Sequence, residues 1–261
     1  MGEFDRFQAL SFDCYGTLID WETGIRAALR RWADRRGVAT PENQLLGLFA
    51  AFETEVEQEA HPAPPYPLVL EETLRRIGAT LGSEVDETDA QVFGSSVADW
   101  PAFADSGSAL SRLQQRYRLI IVSNVDRASF AASNRRLGVT FDRIITAEEV
   151  GAYKPQEPHF AALLAELDAW GLDRDQLLHV AQSLFHDHEP AHRLGLATVW
   201  IDRRHGQDGY GATPPPEDAS IAPDWQFPSL ASFAEAAISP GPPSGRQRQP
   251  PRERRPPAPA S

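Results

Sequence analysis

The feature that most constrains the fold of this chain is a series of short apolar runs, most of which end on small or polar residues. They are Phe7 to Phe12, Leu119 to Val122, Ile144 to Thr146, Leu177 to Ala181 and Thr198 to Ile201. Each has strand character, and helical patterns lie between them. Ser106 is placed to cap a helix carrying Leu110 and Leu113, and Phe160, Leu163, Leu164 and Leu167 repeat at helical spacing. Strands alternating with helices of this length predict βαβ units, and hence an α/β fold with a parallel sheet. Sites in such sheets lie outside the carboxyl ends of the strands, so the chemistry is sought just after each apolar run.

The first strand stands apart. It ends near Asp13, and the next run of comparable quality begins only at Leu119. The interval carries helical patterns: Ile25, Ala28, Leu29 and Trp32; Leu45, Leu46, Phe49, Phe52 and Val56; Leu70, Leu74 and Ile77; Val92, Phe93 and Val97. Pro62, Pro64, Pro65 and Pro67 break the series, and no unit recurs at a fixed period. The economical division is a helical insertion over residues 21–100 that sits above the strand ends as a cap. The core is then residues 1–20 together with 101–238.

Residues 239–261 hold eight of the 22 prolines, five arginines and one glutamate. Such a segment has nothing to bury and is expected to stay extended and mobile. A tail without a dedicated role is the first reading; contact with an acidic partner or membrane surface is the second. The whole chain has 25 Lys and Arg against 37 Asp and Glu, a formal charge of −12 that falls to −16 without this tail. That balance argues against nucleic acid as a partner, because phosphate binding needs a basic face. A hydrophobic content of 41 % supports a real core and excludes wholesale disorder. A single cysteine, Cys14, cannot form an internal disulfide. No apolar run approaches the roughly 18 residues of a membrane span. Met1-Gly2-Glu3-Phe4-Asp5 lacks the pattern of a signal peptide. The expectation is a soluble, cytoplasmic protein with no membrane or nucleic-acid partner.

Asp13 closes the first run and is followed by Cys14-Tyr15-Gly16-Thr17-Leu18. A carboxylate at a strand end, beside a glycine turn and a hydroxyl, is well placed to act as a nucleophile, although a strand-ending Asp alone also suits a turn or cap. The second run delivers Ser123-Asn124 to the same edge, where hydroxyl, amide and backbone N–H groups can hold an anion or simply cap a helix. Lys154-Pro155 follows the third run, and Gln182-Ser183-Leu184-Phe185-His186-Asp187 follows the fourth.

In that order, an Asp at strand one, Ser-Asn at the next, Lys-Pro after the third and an acidic residue after the fourth, the chain resembles the haloacid dehalogenase superfamily over roughly residues 7 to 205. Phe12-Asp13-Cys14-Tyr15-Gly16-Thr17-Leu18 is the most specific part. The resemblance implies a Rossmann-like core with an inserted α-helical cap domain. It implies that Asp13 attacks the substrate to form a covalent aspartyl intermediate. Thr17 and Ser123 would hold the nucleophile or substrate oxygens, Lys154 would offset the carboxylate charge, and Asp187 would hold Lys154 or position water. Tyr15, Trp21, Asn124 and Gln182 are the expected substrate contacts.

Two positions choose among branches. The superfamily's phosphatases carry a second Asp where this chain has Tyr15, and a phenol with a pKa of about 10 is a poor acid–base group at neutral pH. Halide leaves without a proton, and the L-2-haloacid dehalogenases look similar here, with an Asp-x-Tyr-Gly-Thr motif. Near Gln182 the phosphatases carry an Asp that binds Mg²⁺; a neutral amide is a weaker ligand. The expectation is therefore a 2-haloacid dehalogenase-like hydrolase with no cofactor and no metal site. Two alternatives stand beside it: a phosphatase of small phosphate esters, which would need Mg²⁺, and a non-catalytic binding protein on the same fold. The partner expected is a small-molecule substrate, with a homodimer left open.

Three departures concern the substrate end. Phe160 stands where those dehalogenases usually have a Tyr, and Gln182 and Leu184 replace a Ser and an Asn. Residues 43–60 contain no Arg or Lys to grip a carboxylate. Arg26, Arg30, Arg31, Arg75 and Arg76 are the nearest substitutes, though ordinary solvated helix arginines are the first reading of them. His186-Asp187-His188-Glu189 does not read as a metal site, because consecutive side chains diverge; Asp187 is expected to act alone, with solvated histidines. Cys14 is expected to pack in the core.

Overall fold

The computed structural model describes residues 2–59, 62–206, 209–218 and 220–239. The tail expected to be extended lies, Ser239 apart, outside the described residues. The elements run β1 (Ala9–Phe12), α1 (Trp21–Arg36), α2 (Glu42–Glu59), α3 (Tyr66–Leu81), α4 (Glu87–Gly94) and α5 (Ser106–Leu113). They continue with β2 (Arg118–Ser123), α6 (Arg127–Leu137), β3 (Arg143–Thr146), α7 (Ala147–Val150), α8 (Pro158–Trp170) and β4 (Leu177–Ala181). The last are α9 (Glu189–Arg193), β5 (Ala197–Ile201), β6 (Trp225–Phe227) and α10 (Leu230–Ile238).

Among the described residues the strands form one sheet in the order β3-β2-β1-β4-β5-β6, parallel throughout. The five expected runs are all strands. β1 is central because both of its faces are covered: Ala9, Leu10 and Phe12 are fully buried. Successive strands leave β1 on opposite sides, toward β2 and toward β4, which opens a crevice at the carboxyl end of β1. β6, with only three residues and both apolar side chains half-buried, is an edge strand that no apolar run announced.

α1 to α4 and the short helical turn Ser95–Asp99 form the insertion between β1 and α5. It leaves and returns through paired segments: Ile19 bridges Ala102, and the Asp20 N–H donates to the Pro101 carbonyl at 2.8 Å. Trp100 plugs the junction, with its ring edge-on to those of Tyr15 and Tyr66 at 5.6 and 6.3 Å between centroids. Its ring also crowds Gly24 on α1, where a methyl group would fall 2.3 Å from the indole. One expected cap differs. Ser106 is the first residue of α5 rather than its cap, its hydroxyl donating to the Leu18 carbonyl at 2.8 Å. The cap position is Asp105, whose carboxylate is taken instead by Arg203 at 2.8 Å.

Candidate active site

The carboxyl ends of β1, β2 and β4 meet around one lysine. The Asp13 N–H donates to the Val180 carbonyl at 3.1 Å, which carries the β1–β4 ladder one residue past the strand and fixes the Asp13 backbone. Lys154 arrives on the loop after α7. Its Nζ donates to Asp13 Oδ1 at 2.9 Å, Asp187 Oδ1 at 2.7 Å and the Val122 carbonyl at 2.9 Å. All three of its protons are thereby used. Asn124 holds that loop from both sides: its Oδ1 accepts from the Lys154 N–H at 2.6 Å and its Nδ2 donates to the Lys154 carbonyl at 3.3 Å. Tyr153 ties the same loop to the insertion, its hydroxyl donating to the Pro64 carbonyl at 2.6 Å.

Gly16 makes the turn after Asp13. Its φ of 93° is a conformation open to glycine, and a Cβ there would stand 3.0 Å from Gln182 Oε1 and 3.1 Å from Trp21 Nε1. The turn returns Thr17 to the nucleophile: Thr17 Oγ1 donates to Asp13 Oδ2 at 2.6 Å and accepts from the Gln182 N–H at 2.9 Å.

Asp187 sits on a wide helical turn, Leu184–His188, just after β4. Its Oδ1 receives Lys154 and, at 3.1 Å, His179 Nε2; its Oδ2 is buried with no partner among the described residues. A carboxylate only accepts, so His179 Nε2 carries the hydrogen and Nδ1 accepts from Ser11 Oγ at 2.8 Å. Burial opposes the charge on Asp187, but Lys154 and His179 outweigh it and hold its carboxyl below the ordinary range. For Asp13 burial wins and its pKa rises, against the pull of Lys154 and Thr17 and with a push from Asp187. Burial also works against the Lys154 ammonium, yet the two carboxylates overcome it and its pKa lies above the usual lysine value. Of two carboxyls sharing one cation, Asp13 is thus the more basic and Asp187 the one committed to hydrogen bonds.

A cavity of about 60 Å³ opens over these groups. Asp13, Lys154, Asp187, Asn124 and Gln182 line it from the strand ends, and Tyr15, Trp21, Glu53, Glu57 and Tyr66 from the first turn and the insertion. Tyr15 keeps its phenol on Ser133 Oγ at 2.8 Å, and burial pushes that group well above its ordinary pKa. Gln182 Oε1 accepts from Thr213 Oγ1 at 3.3 Å.

Of the residues singled out in the sequence, Asp13, Thr17, Lys154 and Asp187 form one bonded group, and Tyr15, Trp21, Asn124 and Gln182 line the cavity. Ser123 does not join them. It is fully buried, its Oγ has no partner among the described residues, and its carbonyl faces His159 Nε2 at 3.1 Å. The expectation of solvated histidines also fails. His186 is half-buried and lines the cavity, and His188 is buried with Nε2 on the Ala181 carbonyl at 3.1 Å. Burial lowers both to a pKa of about 4, so both rings are neutral at pH 7. Cys14 is wholly buried, and burial raises its thiol pKa.

None of the candidate arginines lines the cavity. Arg26 pairs with Glu22 and Glu42, Arg30 with Asp34, Arg75 with Glu71 and Glu87, and Arg76 with Glu55, Glu59 and Glu72, while Arg31 is exposed. Sequence reasoning missed Glu53, Glu57, Tyr66, Ser11 and His179. The signal for the glutamates was their place in the Leu45, Leu46, Phe49, Val56 stripe of α2, where a Glu four residues after Phe49 must face inward.

The donors do not suit Mg²⁺. Both Asp13 oxygens already accept, from Lys154 and Thr17, Asp187 Oδ1 accepts from Lys154, and Gln182 contributes a neutral amide, so Asp187 Oδ2 is the one free carboxylate oxygen of this set. Among the described residues no three His, Cys, Asp or Glu side chains are grouped to hold a metal ion.

Comparison with known proteins accords with this geometry. A (S)-2-haloacid dehalogenase of Pseudomonas putida is 25 % identical over 213 residues, covering 76 % of this chain and 86 % of that protein. The pyrimidine 5'-nucleotidase YjjG of Escherichia coli is 29 % identical over 125 residues, 47 % of this chain and 51 % of that one. The structure of L-2-haloacid dehalogenase from Xanthobacter autotrophicus superposes with a TM-score of 0.72 at 21 % identity, covering 88 % of this chain and 97 % of that chain. The family model for haloacid dehalogenase-like hydrolases matches residues 7–184, and the chain belongs to that family of enzymes.

Proposed function

We propose that this enzyme hydrolyses a carbon–halogen bond by the 2-haloacid dehalogenase type of reaction, with Asp13 as nucleophile. An Asp13 carboxylate oxygen attacks the carbon bearing the halogen; the C–O bond forms as the carbon–halogen bond breaks, and halide leaves with the electron pair. Water then adds to the carboxyl carbon of the ester. The acyl C–O bond breaks, one water proton ends on the product alcohol, the other passes to solvent, and Asp13 is regenerated. Asp187 Oδ2, without a partner among the described residues, is an acceptor for that water, and Lys154 supplies the positive charge that opposes protonation of both carboxylates. Residues 21–100 serve in this reading as the cap, and residues 1–20 with 101–238 as the catalytic core.

The observation that carries the reading is Tyr15. Its phenol is spent on Ser133 and raised in pKa, so it cannot protonate a leaving alcohol at neutral pH. Halide needs no such proton. The Gln182 amide supports a reaction without metal, and the cavity volume, against about 10–15 Å³ per water, supports a substrate of a few heavy atoms. The test is parallel measurement of halide and phosphate release, each with Mg²⁺ and with chelator. Halide release that survives chelation is expected. Phosphate release abolished by chelator and restored by Mg²⁺, with no halide release, would overturn the proposal.

A further inference from the structure

A 2-haloacid has two ends, and the strand-end residues serve the carbon that bears the halogen. Its carboxylate finds no arginine, because none lines the cavity, and the three protons of Lys154 are already in use. The wall that α2 contributes carries Glu53 and Glu57, one helical turn apart and only 9 % and 7 % exposed. Among the described residues neither pairs with a Lys, Arg or His; the nearby ammonium, Lys154, pairs with Asp13 and Asp187. Two buried carboxylates one turn apart with no cation would leave their charge uncompensated, so the pair retains a proton.

The hydrogen bonds place that proton. Glu53 Oε1 accepts from the Tyr66 hydroxyl at 2.6 Å. Glu57 has a single hydrogen bond among the described residues, accepted by Oε2 from Asn124 Nδ2 at 3.5 Å, the outer limit for such a bond. Oε2 is thus the acceptor oxygen of Glu57, and Oε1 is free to carry the hydrogen. Burial raises the Glu57 carboxyl well above the usual range, Glu53 pushes the same way, and Lys154 opposes them less. The other groups facing it do not reverse this. Tyr66 on α3 and Tyr153 on the loop after α7 have their hydroxyls committed to Glu53 and the Pro64 carbonyl, and burial raises both. His186, on the turn after β4, is neutral, and Asp13 and Asp187 are held by Lys154. A neutral carboxyl that lines a cavity with its O–H unspent is a donor awaiting an acceptor.

Resting on the dehalogenase reading, we infer that the protonated carboxyl of Glu57 donates a hydrogen bond to the carboxylate of the 2-haloacid, the role that no Arg or Lys of residues 43–60 can fill. An O–H donor to a carboxylate makes a short, charge-assisted bond. Glu57 is then a specificity residue for the acid group, and Asp13, Lys154 and Asp187 act at the adjoining carbon.

The decisive measurement is binding of propionate, which needs no turnover. Propionate is titrated into the full chain by calorimetry at pH 7 and pH 9.5; it is ionised at both, so any change belongs to the protein. At pH 7 Glu57→Leu should weaken binding by about ten-fold or more, the scale of one hydrogen bond to a charged group. Glu57→Gln, whose amide N–H can still donate, should stay within about three-fold of the parent. At pH 9.5 the parent should weaken relative to Glu57→Gln by on the order of ten-fold, because the carboxyl ionises and the amide does not. Glu53 and Asp13 are present in both proteins and cancel from that ratio. Glu55→Gln, on the exposed face of the same helix, should match the parent. No propionate binding, binding by Glu57→Leu equal to the parent's, or a parent-to-Gln ratio indifferent to pH would each overturn the inference. Halide release from 2-chloropropionate tests the reaction separately. Propionate held through Glu57 with no halide released would sink the dehalogenase reading and leave the carboxylate seat standing; halide release with propionate indifferent to Glu57→Leu would do the reverse.

Discussion

Glu53, buried where α2 lines the cavity wall, makes the energetic consequence of that burial measurable. Burial lifts its carboxyl from 4.5 to about 7, with the Tyr66 hydrogen bond pulling the other way. Below pH 4.5 the group is protonated in both folded and unfolded chains and costs nothing. Between 4.5 and 7 the folded state holds a proton that the unfolded state has released, so stability falls as pH rises. Above 7 both states are ionised and the whole penalty is present. At about 1.4 kcal/mol per pH unit, a rise of this size is worth about 3 kcal/mol. Glu53→Gln keeps an oxygen for the Tyr66 hydroxyl and removes the charge. Its stability should match the parent at pH 5 and exceed it by about 2–3 kcal/mol at pH 8.5, a rise in Tm of roughly 4–10 °C for a chain of this length. Denaturant unfolding of both proteins across pH 5 to 8.5 checks it. A variant less stable than the parent at pH 8.5, or a difference that does not grow with pH, would show that Glu53 ionises freely and that the wall is solvated.

Other substitutions probe the strand ends. Asp13→Asn should lower turnover by on the order of 10⁴-fold while near-ultraviolet circular dichroism stays unchanged, provided mass spectrometry excludes deamidation back to Asp. Lys154→Met leaves Asp13 and Asp187 buried without their cation, and equilibrium unfolding at pH 7 should show a loss of about 3–5 kcal/mol; parent-like stability would refute the shared-charge account. Gly16→Ala forces a Cβ into the left-handed turn against Gln182 and Trp21. It should cost about 1–3 kcal/mol and slow turnover, because Thr17 loses its position on Asp13.

Much of this architecture is legible from the chain because strand ends in a parallel sheet carry both the fold and the chemistry. Asp13, Lys154 and Asp187 each follow an apolar run that folds as a strand, so reading the runs places them on one edge. What escaped reading was whatever depends on a partner far away in sequence. Ser123 belongs by position to that edge, but its hydroxyl is buried and has no partner among the described residues. Ser106 has the chemistry of a cap, yet the carbonyl of Leu18, 88 residues earlier, accepts its hydrogen bond. Glu53 and Glu57 occur in Glu53-Thr54-Glu55-Val56-Glu57, a composition that suits a solvated helix face. Only their phase relative to Phe49 and Val56 turns two of the three inward. β6 lacked a signal because a three-residue edge strand needs neither length nor a continuous apolar run.

Ser11 and His179 pair directly across β1 and β4, and both lie at 0 % exposure. By location they are core residues of the sheet, yet their hydrogen bonds end on the carboxylate that grips the lysine. A core-redesign protocol that swapped Ser11 for Val would register a harmless gain in apolar packing. It would also unpin the imidazole, and through it the orientation of Asp187. In this enzyme the hydrophobic interior and the reaction therefore cannot be optimised as separate problems: two positions of the central sheet answer to both, and an engineered stabilisation of those strands has to be screened by rate as well as by melting temperature.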